Sequence, residues 1–80
     1  MITGIQIRMA RSALKWGVRE LAAKAQVSPA TVTRIEADNP ANAATLRAIQ
    51  TALELGGVEF IPENGGGAGV RLRKSGVEPT

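Results

Sequence analysis

Eighty residues without a cysteine or a histidine make one small domain, and they exclude a two-domain enzyme, a disulfide framework, zinc fingers, a thiol nucleophile and the commonest general base. Apolar residues are 44% of the chain, enough for a core that favours a partner subunit, with no run near the ~20 residues of a membrane span and no secretory leader, which predicts a soluble cytoplasmic protein. The net charge of +3 is concentrated early: residues 1–36 carry six basic and two acidic side chains, residues 37–63 one basic and four acidic, which fits either an acidic partner or a solvated helix surface.

Ile7, Ala10, Ala13 and Leu14 recur at helical spacing between Thr3 and Trp16, flanked by Arg8, Arg11 and Lys15, and predict a first helix that Gly17 stops. Trp16, beside Leu14 and Gly17, reads as a packed lid over the end of that helix. From Val18 to Ala25 the residues Leu21, Ala22 and Ala25 share one face of a two-turn second helix. Ser28 followed by Pro29 starts a third, because serine accepts from an orphan amide and proline at the first helical position has no amide to waste. That helix runs to Ala37 with Val32 and Ile35 inward, and Asp38, Asn39 and Pro40 end it. Asn42 caps a fourth helix through Leu55, with Leu46, Ile49, Ala52 and Leu53 inward and Gly56 and Gly57 as its stop.

After the glycines the period shifts to two, and Val58, Phe60, Val70 and Leu72 alternate with Glu59, Arg71 and Arg73 around a turn-rich stretch that contains Asn64-Gly65. This predicts a β-hairpin over residues 58–74, with the apolar side chains on one face and Glu59 meeting Arg71 or Arg73 on the other. Two strands alone are hardly stable, so the hairpin is expected to dimerise the protein, by strand pairing or through a Phe60, Ile61 and Leu72 patch, or else to cap its own helical core. Residues 75–80 read as a flexible tail. The glycine-rich segment Glu63 to Gly69 lacks the Lys and Ser or Thr of a phosphate loop and precedes no helix.

The most informative stretch is Arg19 to Glu36. Ala22 is small enough for the second helix to approach the third closely, Val27 fills the corner between them, and Val32 and Ile35 anchor the third helix, which leaves Pro29, Ala30, Thr33 and Arg34 facing outward. Glu20-Leu21-Ala22, the Val27-Ser28 turn, and Val32 followed by Arg34-Ile35-Glu36 resemble the helix-turn-helix of the Cro and phage-repressor family, the lambda-repressor-like DNA-binding domains, over about residues 5–55.

The resemblance implies a mainly α fold: a four-helix lambda-repressor-like domain over residues 1–57, followed by the C-terminal β-hairpin. It also implies that Ala30, Thr33 and Arg34 touch bases in the major groove, Arg34 in bidentate contact with guanine and Ala30 with a thymine methyl. Ser28, Thr31, Asn42 and Ala43 would hold the DNA backbone, and Arg11 and Glu36 would pair beneath the recognition helix. Two positions depart from the family pattern. Val18 stands where the family has a phosphate-clamping glutamine, which predicts lower affinity, and Gln26 replaces a turn glycine, at a cost of roughly 1 kcal/mol if the left-handed geometry is kept.

The expected function is that of a transcriptional regulator on operator DNA, a homodimer with no cofactor, no metal and no catalysis. Its partners would be double-stranded DNA, a second copy of itself and, for activation, RNA polymerase. With no room for an effector domain, repression would come from occupying the promoter, and a phage-like, mobile-element or toxin-linked controller fits the family's habit. The alternative is a protein-interaction module, an antitoxin or antiactivator, that uses the same fold to sequester a protein. Val18 and the acidic middle block favour it.

Overall fold

The structure, a computed structural model, describes residues 2–63 and 65–73. Four helices precede one antiparallel hairpin: α1 (Gly4–Leu14), α2 (Val18–Ala25), α3 (Pro29–Glu36), α4 (Ala43–Gly56), β1 (Val58–Ile61) and β2 (Gly69–Leu72). This is the mainly α architecture with a C-terminal hairpin that the sequence predicts. The predicted tail over 75–80, Lys74 and Asn64 of the predicted turn lie outside the described residues.

α1 begins with a reciprocal cap, since Thr3 Oγ1 accepts the Gln6 amide at 3.2 Å while Gln6 Oε1 accepts the Thr3 amide at 3.0 Å. Gln6 is only 3% exposed, and its Nε2 donates to the carbonyls of Ile61 at 3.3 Å and Gly69 at 3.0 Å. One side chain thus ties the start of α1 to the loop end of the hairpin.

Three helix ends differ from expectation: α3 ends one residue early at Glu36, α4 runs on to Gly56, and α1 stops short of Gly17. Gly17 does not stop α1; Lys15 does, in the left-handed region at φ 59°, with its amide on Ser12 O at 3.0 Å and the Trp16 amide on Arg11 O at 2.9 Å. Gly17, at φ −79°, instead precedes α2 as its cap. α2 closes by the same geometry at Gln26, φ 59°, with the Val27 amide on Ala22 O at 2.9 Å, so the left-handed turn is kept without glycine. α3 closes the same way at Asp38, φ 66°, with the Asn39 amide on Arg34 O at 3.0 Å.

The core draws Ile7 and Ala10 from α1, Leu21, Ala22 and Ala25 from α2, Val32 and Ile35 from α3, Ile49, Ala52 and Leu53 from α4, Val58 from β1, and Ile2. Leu14, Trp16 and Leu46 pack on its rim. Ala13 is exposed, because it stands about 100° round the helix from Leu14. Gly4 is buried where α1 crosses the end of α3, and a Cβ there would strike the Ile35 carbonyl and come within 3.1 Å of Glu36 Cα. The two helices therefore meet backbone to backbone. At the other end of α1 the Trp16 ring lies so close to Gly56 that a Cβ on that glycine would be 2.6 Å from it.

In the hairpin Val58 pairs with Leu72, Glu59 with Arg71, Phe60 with Val70 and Ile61 with Gly69. Val58 is buried and Phe60 and Val70 pack on the core, so the alternating apolar face covers the helices, while Glu59 Oε1 binds Arg71 Nε at 3.0 Å on the opposite face. Leu72 shares the apolar face through its pairing with the buried Val58 but is itself 58% exposed. In the glycine-rich loop Glu63 Oε2 accepts the amides of Gly65 at 3.3 Å and Gly67 at 3.1 Å. Those amides are directed at the chain's own carboxylate.

Candidate functional site

α3 is held from both ends and from below. Ser28 Oγ accepts the Thr31 amide at 3.1 Å, Pro29 occupies the first helical position, and Val32 and Ile35 are buried against the other helices. At the far end the Arg34 carbonyl accepts both the amide and the Nδ2 group of Asn39, each at 3.0 Å. With its inner side committed, α3 turns Pro29, Ala30, Thr33 and Arg34 to solvent.

Beneath it, Arg11 Nε and Nη2 reach Glu36 Oε2 at 2.8 Å and Oε1 at 3.0 Å, and Arg11 Nη1 donates to the Trp16 carbonyl at 3.2 Å. The hydrogen bonds to Glu36 raise the Arg11 guanidinium above its ordinary pKa, against the opposing effect of partial burial. Arg8 approaches the same carboxylate at 3.7 Å from a largely exposed position. The expected Arg11 and Glu36 pair is therefore present.

The other nominated residues fall into two groups. Thr31, Arg34 and Asn42 line one cleft between α3 and the start of α4, together with Thr45, whose hydroxyl no sequence signal marked. Ala30 and Thr33 sit on α3 outside that cleft. The hydroxyls of Ser28 and Thr31 are 2.9 Å apart, so one of their two protons is used between them and the other is left for an outside acceptor. Asn42 Oδ1 accepts the Thr45 amide at 2.8 Å, which leaves the amides of Ala43 and Ala44 as the orphan donors of the first turn of α4. Val18, in place of a polar clamp, packs against the core.

In the hairpin patch, Phe60 is packed against the chain's own core, Ile61 is half-buried, and Leu72 is the exposed member. Three side chains matter to this arrangement that no functional reading of the sequence named: Gln6, Asn39 and Thr45. The Thr3 to Gln6 spacing was a capping signal and could have identified the first. Asn39 closes α3 locally, on a carbonyl five residues back, whereas Thr45 joins the cleft only through the placement of the start of α4 beside α3.

Arg34 forms no ion pair among the described residues, so the edge of α3 carries one unneutralised guanidinium. Among the described residues no group of three acidic side chains could hold a metal ion, and no helix is long and apolar enough to cross a membrane. A family model described as helix-turn-helix matches residues 7–60, well over half of the chain. No curated protein is significantly similar.

Proposed function

The chain belongs to the helix-turn-helix family of the Cro and phage-repressor type, a DNA-binding regulatory family and not an enzymatic one, and from that premise we propose that it regulates transcription by reading an operator sequence with α3. The observation that carries this reading is the outward edge of α3, where Ala30, Thr33 and Arg34 are exposed together while Val32 and Ile35 hold the helix to the core. Arg34 donates two hydrogen bonds to guanine O6 and N7, Thr33 adds a hydroxyl, and Ala30 touches a thymine methyl. Ser28 and Thr31 on one side, and Asn42 with the Ala43 amide on the other, take phosphates and set the register without specifying sequence.

The protein acts as a two-fold dimer whose α3 helices lie about one DNA turn apart. The hairpin is the pairing element. β1 and β2 are each other's only strand partners among the described residues, so each keeps an open edge, and Leu72 extends the apolar surface beside them. Occupation of promoter DNA represses, and activation would require direct contact with RNA polymerase. One observation favours the sequestering alternative: Val18 is spent on the core where a phosphate clamp would stand.

Selection of bound duplexes from a random pool tests the proposal. A two-fold sequence should be enriched, its affinity should fall steeply with salt as counterions are released, and Arg34→Ala should cost about 1–3 kcal/mol on it and relax one position per half-site. Equal losses on selected and random DNA would remove the base-reading role of Arg34. No enriched sequence at all would return the protein to the sequestering class.

A further inference from the structure

A second surface lies away from α3. Between the last turn of α2 and the outer side of α4 runs a shallow, open groove lined by Ala48, Ala52 and Leu55, and a second depression sharing Lys24, Ala52 and Leu55 continues it to the Trp16 ring. Leu55 is 85% exposed, the most open large apolar side chain among the described residues. Lys24 from α2 and Arg47 from α4 both line the groove, and neither has an ion pair among the described residues. The Lys24 ammonium lies 5.0 Å from the centre of the Trp16 ring.

We propose that this groove docks an acidic amphipathic helix of a partner protein. The small alanine side chains let a helix come close, and the α4 residues along the groove, from Ala44 to Gly56, span about 18 Å, the length of roughly three helical turns. Apolar side chains spaced by three and four would cover Ala48 and Ala52 and bury Leu55, while carboxylates on the flanks meet Lys24 and Arg47. Nucleic acid fits less well, because a phosphate backbone would neutralise the two cations but leave Leu55 and the alanines in water. No residue of α3 lines the groove. Docking does not depend on the DNA reading.

The probe is a labelled helical peptide of about 12 residues with leucines on one face and glutamates flanking them, compared with the same peptide carrying lysines, titrated against the full chain by anisotropy and by amide shifts. The glutamate peptide should bind about tenfold tighter or better, weaken with salt, and shift the amides of Ala48, Thr51 and Leu55. Lys24→Glu with Arg47→Glu should reverse the preference between the two peptides, and Leu55→Ser should weaken the glutamate peptide. All three positions are exposed, and the variants should keep the helical circular dichroism of the parent. On the duplex selected above, Leu55→Ser should keep the parental affinity, and the charge-reversed variant, whose net charge falls from +3 to −1, should weaken through the lost long-range attraction but keep the parental salt slope. Equal binding of both peptides, no binding, or shifts centred on α3 or the hairpin would overturn the proposal. So would a reduced salt slope in the charge-reversed variant, since the cations would then be phosphate contacts. If no duplex is enriched but the peptide preference reverses, docking stands and only the operator reading fails.

Discussion

The Arg11 guanidinium holds both carboxylate oxygens of Glu36 across 25 residues of chain, and the pair joins the last turn of α1 to the last turn of α3. The side chains are 19% and 6% exposed, so the carboxylate has little water to fall back on. Desolvation offsets much of the attraction, and the pair is better at setting the angle of α3 than at adding stability.

Arg11→Ala should therefore be costly, about 3 kcal/mol, because it leaves the buried Glu36 with only the exposed Arg8, 3.7 Å away and without a hydrogen bond, for a partner. Replacing both members, Arg11→Met with Glu36→Leu, should cost less than Arg11→Ala alone. Denaturant midpoints at constant slope measure both.

Gly4→Ala should destabilise by about 1–3 kcal/mol, since the added methyl meets the Ile35 carbonyl and the backbone of Glu36, which cannot swing aside as a flexible side chain could. Gly17→Ala is the control: it has open space and an ordinary φ, and should change stability far less. The Gly4 variant should also lose discrimination between selected and random DNA, because the shifted element is α3.

At Gln26 and Lys15 the prediction has the opposite sign. Each holds a left-handed conformation that costs a residue with a Cβ roughly 1–2 kcal/mol, so glycine there should stabilise by about 0.5–1 kcal/mol after its own entropy cost. Asp38→Gly should gain less, because aspartate tolerates this region better. Thermal and denaturant unfolding of the three variants would check the order.

Hydrogen bonding from Arg71, reinforced by its charge, lowers the Glu59 pKa below 4.5 in the folded protein. A lowered folded value means that the contribution is complete above pH 4.5 and disappears as pH falls through the folded value, so the hairpin should loosen only on that acid side. The Glu59 side chain is about half exposed and its partner Arg71 more so, and Glu59→Gln should accordingly leave neutral stability almost unchanged while flattening the acid limb. A carboxyl NMR titration of Glu59 gives the folded value directly, and a midpoint at or above 4.5 would contradict the pairing.

Reading along the chain was enough for what nearby residues decide. Ser28-Pro29 and Asn42 are helix starts because a side-chain oxygen reaches an amide three residues on, and Val32 and Ile35 choose the inner side of α3 because they are three residues apart on a 3.6-residue period. Alternation likewise placed Val58, Phe60 and Val70 on one side of the hairpin and Glu59 opposite Arg71 on the other. The packing of distant segments decided the rest. Lys15 ends α1 ahead of the glycine, Trp16 lies against Gly56 far along the chain, and Gln6 finds its acceptors 55 and 63 residues away. Thr31, Arg34 and Asn42 share a cleft, and Lys24 and Arg47 share a groove, only once α2 has packed against both α3 and α4. Caps and periodicity act over a few residues and leave their mark in local order, whereas a shared cleft depends on how closely two backbones approach, and that is settled by side chains far apart in the chain.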